Sequence, residues 1–321
     1  MRGAGRSFGA TLASVMRLLV LGAGAIGGYF GARLAAAGND VTFLVREKRR
    51  SQLIQDGLRL VSPLGDLTLP VQTVSAETLT GSYDIVLLTC KAYDLPSAME
   101  AIAPAISGDC AIVPMLNGMA HVDLLCARFG GAHVMGGTCS ISAALDANGV
   151  IRHANPMQRI TFGELDGRET GRVRALADAF AKTSLDWELA PDILQNMWEK
   201  IAFLSVLAAT NCLFRANVGQ INHASGGPEA IERALEANFE IARREGHAMR
   251  PPAIEFARKT LINPSSTIRG SMLHDLESGA PVEADHIIGW MLAKAREHSV
   301  DDTVLSFAYT ALKAYEARRG G

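Results

Sequence analysis

Two lysines, an asparagine, a serine and a carboxylate are the side chains in this sequence whose types and settings could do chemistry or hold a small polar ligand. Lys200 lies in WEKIAFLSVLAA with apolar neighbours, and Leu204 and Ala208 follow it at successive turns, so its ammonium would be partly desolvated. Such an ammonium can neutralise charge developing on an oxygen and supply its proton. Taken alone, a lysine near the start of a helix is ordinarily solvated. Lys91, in TCKAY, directly follows an apolar run, where a strand would leave a sheet at its carboxyl edge. Asn117, in LNGM, offers both donor and acceptor, and Gly118 leaves room beside it; the same dipeptide also makes turns that bind nothing. Ser271 could cap a helix or bind a carboxylate, and Glu283 with Asp285 could form an acidic first turn that complements a helix dipole.

These groups need a fold that gathers them, and residues 18–31, LLVLGAGAIGGYFG, indicate which. An apolar run short enough for a buried strand leads into Gly22, Gly24 and Gly27 and then a helical stretch beginning at Ala25 and Ile26. Gly22 permits the tight turn, Gly24 lets the backbone approach a pyrophosphate, and Gly27 lets helix and strand come close, with the helix N-terminus facing the anion. A second strand follows at residues 41–45, which is the context a dinucleotide site requires. That strand delivers Arg46, where an NAD site usually offers a carboxylate to the ribose. A 2′-phosphate is better met by a guanidinium, so NADP(H) is favoured. Lys48, Arg49 and Arg50 read as the solvated start of a helix.

The pattern predicts an α/β chain: an N-terminal Rossmann-type, doubly wound domain over residues 16–190, then an all-α C-terminal domain over 191–321. Strands are expected at 18–21, 41–45, 85–89, 111–115 and 133–137. An antiparallel hairpin, 58–61 with 67–71, is expected as an insertion into the wound sheet, with short strands near 150–152 and 159–162. After Pro191 the helical spacing takes over at 192–214, 228–246, 251–260, 270–276, 284–298 and 303–317. Residues 1–15 bear arginine and no acid and read as a disordered extension ahead of a natural start at Met16.

Composition narrows the partners. With 31 basic and 33 acidic side chains the net charge is −2, which gives no electrostatic case for nucleic acid or an anionic membrane. No uninterrupted apolar run reaches the roughly 18 residues of a membrane span. The five cysteines form no CxxC pair, which fits a reducing cytoplasm without disulfide or zinc.

The order GAGAIGG, CKAY, LNGM, WEK, then SM followed by VEAD resembles the ketopantoate reductase family, the NADPH-dependent 2-dehydropantoate 2-reductases, from Met16 to about Glu316. The resemblance implies reduction of ketopantoate to pantoate, in pantothenate and coenzyme A biosynthesis. It implies that Gly22, Gly24, Ala25, Ile26, Gly27, Arg46, Lys91 and Asn117 contact the cofactor, that Lys200 is the catalytic lysine with Glu283 beside it, and that Asn117 and Ser271 hold the substrate. A small 2-oxo acid is the implied partner, and a homodimer is compatible with it. One departure stands out: where family members carry asparagines one and two turns after the lysine, this chain has Leu204 and Ala208. A buried substrate hydroxyl would lack its partners there unless Asn211 or Asn217 compensates. Another 2-oxo acid or carbonyl on the same scaffold is therefore a second expectation. A non-catalytic NADP-binding sensor is a third, disfavoured because a sensor has no use for Lys200 and Glu283 together.

Overall fold

The computed structural model describes residues 16–320, so the extension expected over residues 1–15 lies outside the described residues. Leu18, Leu19 and Val20 are fully buried because strand β1 (Arg17–Leu21) is covered on both faces. It pairs in parallel with β2 (Asp40–Leu44) and β6 (Ile85–Leu88). Outside these lie β5 (Gln72–Val74), against β2, and β7 (Ala111–Pro114), against β6, for the order β5-β2-β1-β6-β7. Leu21 stands opposite Leu44 and Leu88, and Leu88 opposite Pro114, so these four strands end level. The loops carrying Gly22, Arg46, Lys91 and Asn117 consequently leave one edge of the sheet.

Helix α1 (Ala25–Ala36) is buried on every side from Gly27 to Leu34. A Cβ on Gly31 would fall 2.6 Å from the Phe43 ring, and one on Gly28 would fall 2.3 Å from Ile151 Cδ1. Phe43 belongs to the parallel sheet and Ile151 to a second sheet, so α1 is the filling between two sheets. The second sheet contains β3 (Leu58–Val61), β4 (Leu67–Leu69), β9 (Val150–Glu164) and β10 (Asp186–Leu189), in the order β10-β9-β3-β4, with β8 (Met135–Leu145) antiparallel to β9. Helices α2 (Glu47–Asp56), α3 (Leu95–Ile102), α4 (Ala120–Phe129) and α5 (Gly171–Ala181) complete this half.

Three expectations about strands are corrected. The 58–69 hairpin forms, but β3 pairs with β9 and leaves the wound sheet alone. Among the described residues, 133–137 pair with that sheet only through the Val134–Ile112 bridge, although Gly137 packs closely on Val113 and Pro114 of β7, and the chain continues into β8. The short strands near 150–152 and 159–162 are one strand, β9: β8 pairs with it at residues 151–153 and again at 158–164, on either side of the exposed residues 154–157.

The remainder is helical. Asp192 caps α6 (Ile193–Phe214), its side chain accepting from the Gln195 N–H at 3.1 Å. Then come α7 (Val218–His223), α8 (Gly227–Arg244), α9 (Pro251–Leu261), α10 (Ser271–Glu277), a π turn (Asp285–Gly289) running into α11 (Trp290–Glu297), and α12 (Thr303–Gly320). By length and composition α6 could cross a membrane, but Glu199 and Lys200 interrupt its apolar run, and 67% of the stretch is buried as the central helix of the domain.

The glycine loop is held by its own backbone. A Cβ on Gly27 would meet Thr89 Oγ1 at 2.2 Å and the Gly22 carbonyl oxygen at 2.3 Å. Gly27→Ala should therefore cost about 2–3 kcal/mol of stability, read as a lower denaturation midpoint. An unchanged midpoint would contradict this packing.

Candidate active site

The glycine loop presents a cradle. Gly22 turns with φ +96°, its N–H donates to the Leu44 carbonyl at 2.9 Å, and Thr89 Oγ1 donates to the Leu21 carbonyl at 2.7 Å. Among the described residues a Cβ on Gly24 would meet nothing within 4 Å, so their packing does not require glycine there. No side chain among the described residues caps the N-terminus of α1, which opens with Ala25 and Ile26. An open face over Gly24 and an uncapped helix start suit a pyrophosphate. Arg46 is exposed just beyond the end of β2. Arg49 is not simply solvated as expected: its Nε donates to the Ala23 carbonyl at 3.1 Å and its Nη1 to the Gly149 carbonyl at 3.0 Å, bracing the loop.

Across from the cradle, a carboxylate joins the two halves of the chain. Glu283 is 7% exposed; its Oε1 accepts from the Ala92 N–H at 2.9 Å and its Oε2 lies 3.6 Å from Lys91 Nζ. The same ammonium donates to Asp275 Oδ2 at 3.0 Å. Burial works against the charge on Lys91, but Glu283 and Asp275 outweigh it and hold the pKa above the ordinary lysine value. Lys91 and Ala92 follow β6, whereas Asp275 sits on α10 and Glu283 just before the π turn. A Cβ on Gly118 (φ +93°) would fall 2.6 Å from the His286 carbonyl oxygen. In that direction the helical domain leaves no space for a side chain on residue 118.

Lys200 reaches over the same junction. Its Nζ donates to the Cys139 carbonyl of β8 at 2.5 Å. Burial lowers its pKa, with Cys139 and Glu283 pulling the other way. A small cavity beside it is lined by Leu116, Gly118, Thr138 and Met197. His121, at the start of α4, is 1% exposed with Nε2 unpartnered, and burial, reinforced by the charges of His286 and Lys200, pushes its pKa down to about 3. It is neutral at ordinary pH.

Comparison with known proteins shows the family. The profile described as ketopantoate reductase PanE/ApbA matches residues 18–167, and that of its C-terminal domain matches 192–316. The chain belongs to the ketopantoate reductase family. It is 36% identical over 304 residues to the uncharacterized oxidoreductase YkpB of Bacillus subtilis, covering 95% of this chain and 100% of that one. A solved 2-dehydropantoate 2-reductase from Geobacter metallireducens superposes with a TM-score of 0.83 at 26% identity, covering 93% of this chain and 99% of that one. A D-mandelate dehydrogenase solved with NADH and anilino(oxo)acetate has the same fold, with a TM-score of 0.84 at 19% identity and coverage of 95% and 100%. The chain is thus a nicotinamide-dependent oxidoreductase acting on carbonyl or hydroxyl groups.

Within this ketopantoate reductase fold, the remaining candidates divide. Asn117 is half-buried in the loop next to Gly118, and Ser271 is exposed at the first position of α10. Asn211 is fully buried, and its Oδ1 accepts from the Gly270 N–H at 2.8 Å, so it pins the start of the helix that carries Ser271. Asn217 caps α7, accepting from the Gln220 N–H at 2.8 Å. Asp285 turns away, accepting from Tyr309 Oη at 2.6 Å. Ala208 is 3% exposed, whereas Leu204 is half-buried. Asp275 and His121 were missed. Asp275 had a signal, since it stands four residues after Ser271 on one helix; His121 had none.

Gly24→Ala separates binding from folding. It should leave the denaturation midpoint unchanged and weaken dinucleotide binding about tenfold or more, since the added methyl occupies the open face. Unchanged affinity by calorimetry would show that no phosphate sits there.

Proposed function

We propose that the chain reduces a small 2-oxo acid to the 2-hydroxy acid with NADPH, ketopantoate being the named candidate. The observation that carries this is the convergence of Lys200, Lys91 and Glu283 at the carboxyl edge of a sheet that bears a glycine cradle. When bound, the dihydronicotinamide supplies hydride. Adding hydride to a ketone carbon leaves negative charge on its oxygen. Lys200 stabilises that charge and gives the oxygen its proton, completing the hydroxyl. Burial makes the ammonium a better acid than an exposed lysine. Glu283 orients Lys91 and the Ala92 N–H, and its charge opposes the lowering that burial imposes on the Lys200 pKa. Asn117 and Ser271 hold the carbonyl and carboxylate of the substrate. The Arg46 guanidinium at the end of β2 supports NADPH over NADH.

Leu204 and Ala208 favour a substrate with an apolar tail over ketopantoate itself. Asn217 is engaged in capping α7 and Asn211 Oδ1 accepts from the Gly270 N–H, whereas Asn211 Nδ2 is buried without a partner among the described residues and is the one amide donor left to meet a polar tail. A buried hydroxyl without a partner costs about 1–3 kcal/mol, or roughly tenfold in specificity.

Lys200→Ala should lower kcat by about 100-fold or more while leaving the Kd for NADPH little changed. Near-normal turnover would remove the lysine from the chemistry and favour a cofactor-binding protein without catalysis.

NADPH oxidation against a panel of 2-oxo acids should give a higher kcat/KM for an apolar-tailed acid than for ketopantoate, and Leu204→Asn should shift the ratio toward ketopantoate. Ketopantoate ranking first with the unmodified protein would overturn the altered-substrate reading and leave the reductase reading intact.

A further inference from the structure

Arg46 already has an anionic partner. Its Nη2 donates to Asp94 Oδ1 at 3.0 Å, the guanidinium's only hydrogen bond among the described residues. Asp94 ends the single 3-10 turn (Ala92–Asp94) that follows Lys91. Arg46 leaves β2 and Asp94 follows β6, the two neighbours of β1, so the pair bridges the strand whose end carries the glycine loop. The side chains are 81% and 40% exposed, leaving both open to a ligand from solvent. A carboxylate next to the cofactor's ribose is what an NAD site offers, and a guanidinium is what an NADP site offers. This chain carries both, ion-paired to one another.

We propose that Asp94 is a specificity-determining residue that moderates the preference for NADPH by competing with the 2′-phosphate for Arg46. The inference rests on the assignment of Arg46 to that phosphate. To engage the guanidinium, a 2′-phosphate must displace the carboxylate or share the arginine with it, and two anions at one cation repel. A 2′-hydroxyl meets no such penalty and can donate to Asp94. Preference therefore depends on the difference between what Arg46 gains from the phosphate and what it loses from Asp94. The exposed pair is weak and is screened by salt, so the competition is modest in size.

Equilibrium binding tests this without turnover. Dissociation constants for NADPH, NADH, 2′,5′-ADP and 5′-ADP are measured by calorimetry at low salt for the unmodified protein, Arg46→Ala, Asp94→Asn and Asp94→Ala. Asp94→Asn and Asp94→Ala should tighten NADPH and 2′,5′-ADP by about 3- to 10-fold, with NADH and 5′-ADP unchanged or weaker, and the gain should shrink as salt rises. A ratio of NADPH to NADH affinity that stays within about twofold of the unmodified protein in both variants, or NADPH binding that weakens, would overturn the proposal. Arg46→Ala separates the two layers. If it lowers the NADPH preference while the Asp94 variants change nothing, the proposal fails and the arginine's role stands. If it leaves the preference untouched, the assignment of Arg46 falls and the proposal falls with it.

Discussion

Glu283 is a carboxylate at 7% exposure, and a charge that deep requires partners. Both come from the other half of the chain: the Ala92 N–H and the Lys91 ammonium, at the end of β6. This requirement docks the helical domain on the carboxyl edge of the parallel sheet, and the nearby contact of Gly118 with the His286 carbonyl shows how closely. Asp275 adds a second carboxylate to Lys91, so one ammonium answers two acids on two segments of the helical domain. Removing either partner would leave charge buried without compensation, which costs far more than the pair contributes.

The docking creates the setting of Lys200. Carried by α6 and held by the Cys139 carbonyl of β8, its ammonium is shielded on the helical side by α6 itself and on the other by the Leu116–Gly118 loop. Shielding lowers its pKa and the charge of Glu283 limits the drop. Two features of the fold thus act on one proton in opposite directions, and an acid poised below the ordinary lysine range is the result.

Much of this was legible in the residues. The glycine loop, Lys91, Asn117 and Arg46 could each be placed because each directly follows a strand whose apolar run is easily seen, and parallel sheets put such positions at one edge. The helices of the C-terminal half were equally plain, apart from the short α7. The second sheet was not legible. The middle of β9 is exposed and polar, so a strand running from Val150 to Glu164 looked like two fragments, and nothing local reveals that β3 pairs with β9. Partnerships were hidden for the same reason. Asp275 to Lys91, Asp94 to Arg46 and Asn211 to Gly270 join residues 184, 48 and 59 positions apart, and His121 becomes notable only when burial strips it of water.

The account turns on a proton held by a desolvated lysine beside a buried carboxylate. The most direct test is the pH dependence of kcat/KM for the best 2-oxo acid of the panel, in the unmodified protein and in Glu283→Gln. Activity should be lost as pH rises through an apparent pKa below the ordinary lysine value of 10.5, and Glu283→Gln should move that limb to lower pH, because the charge that favours the ammonium is gone. A rate that stays flat up to the ordinary lysine pKa, or a limb that Glu283→Gln does not move, would contradict it.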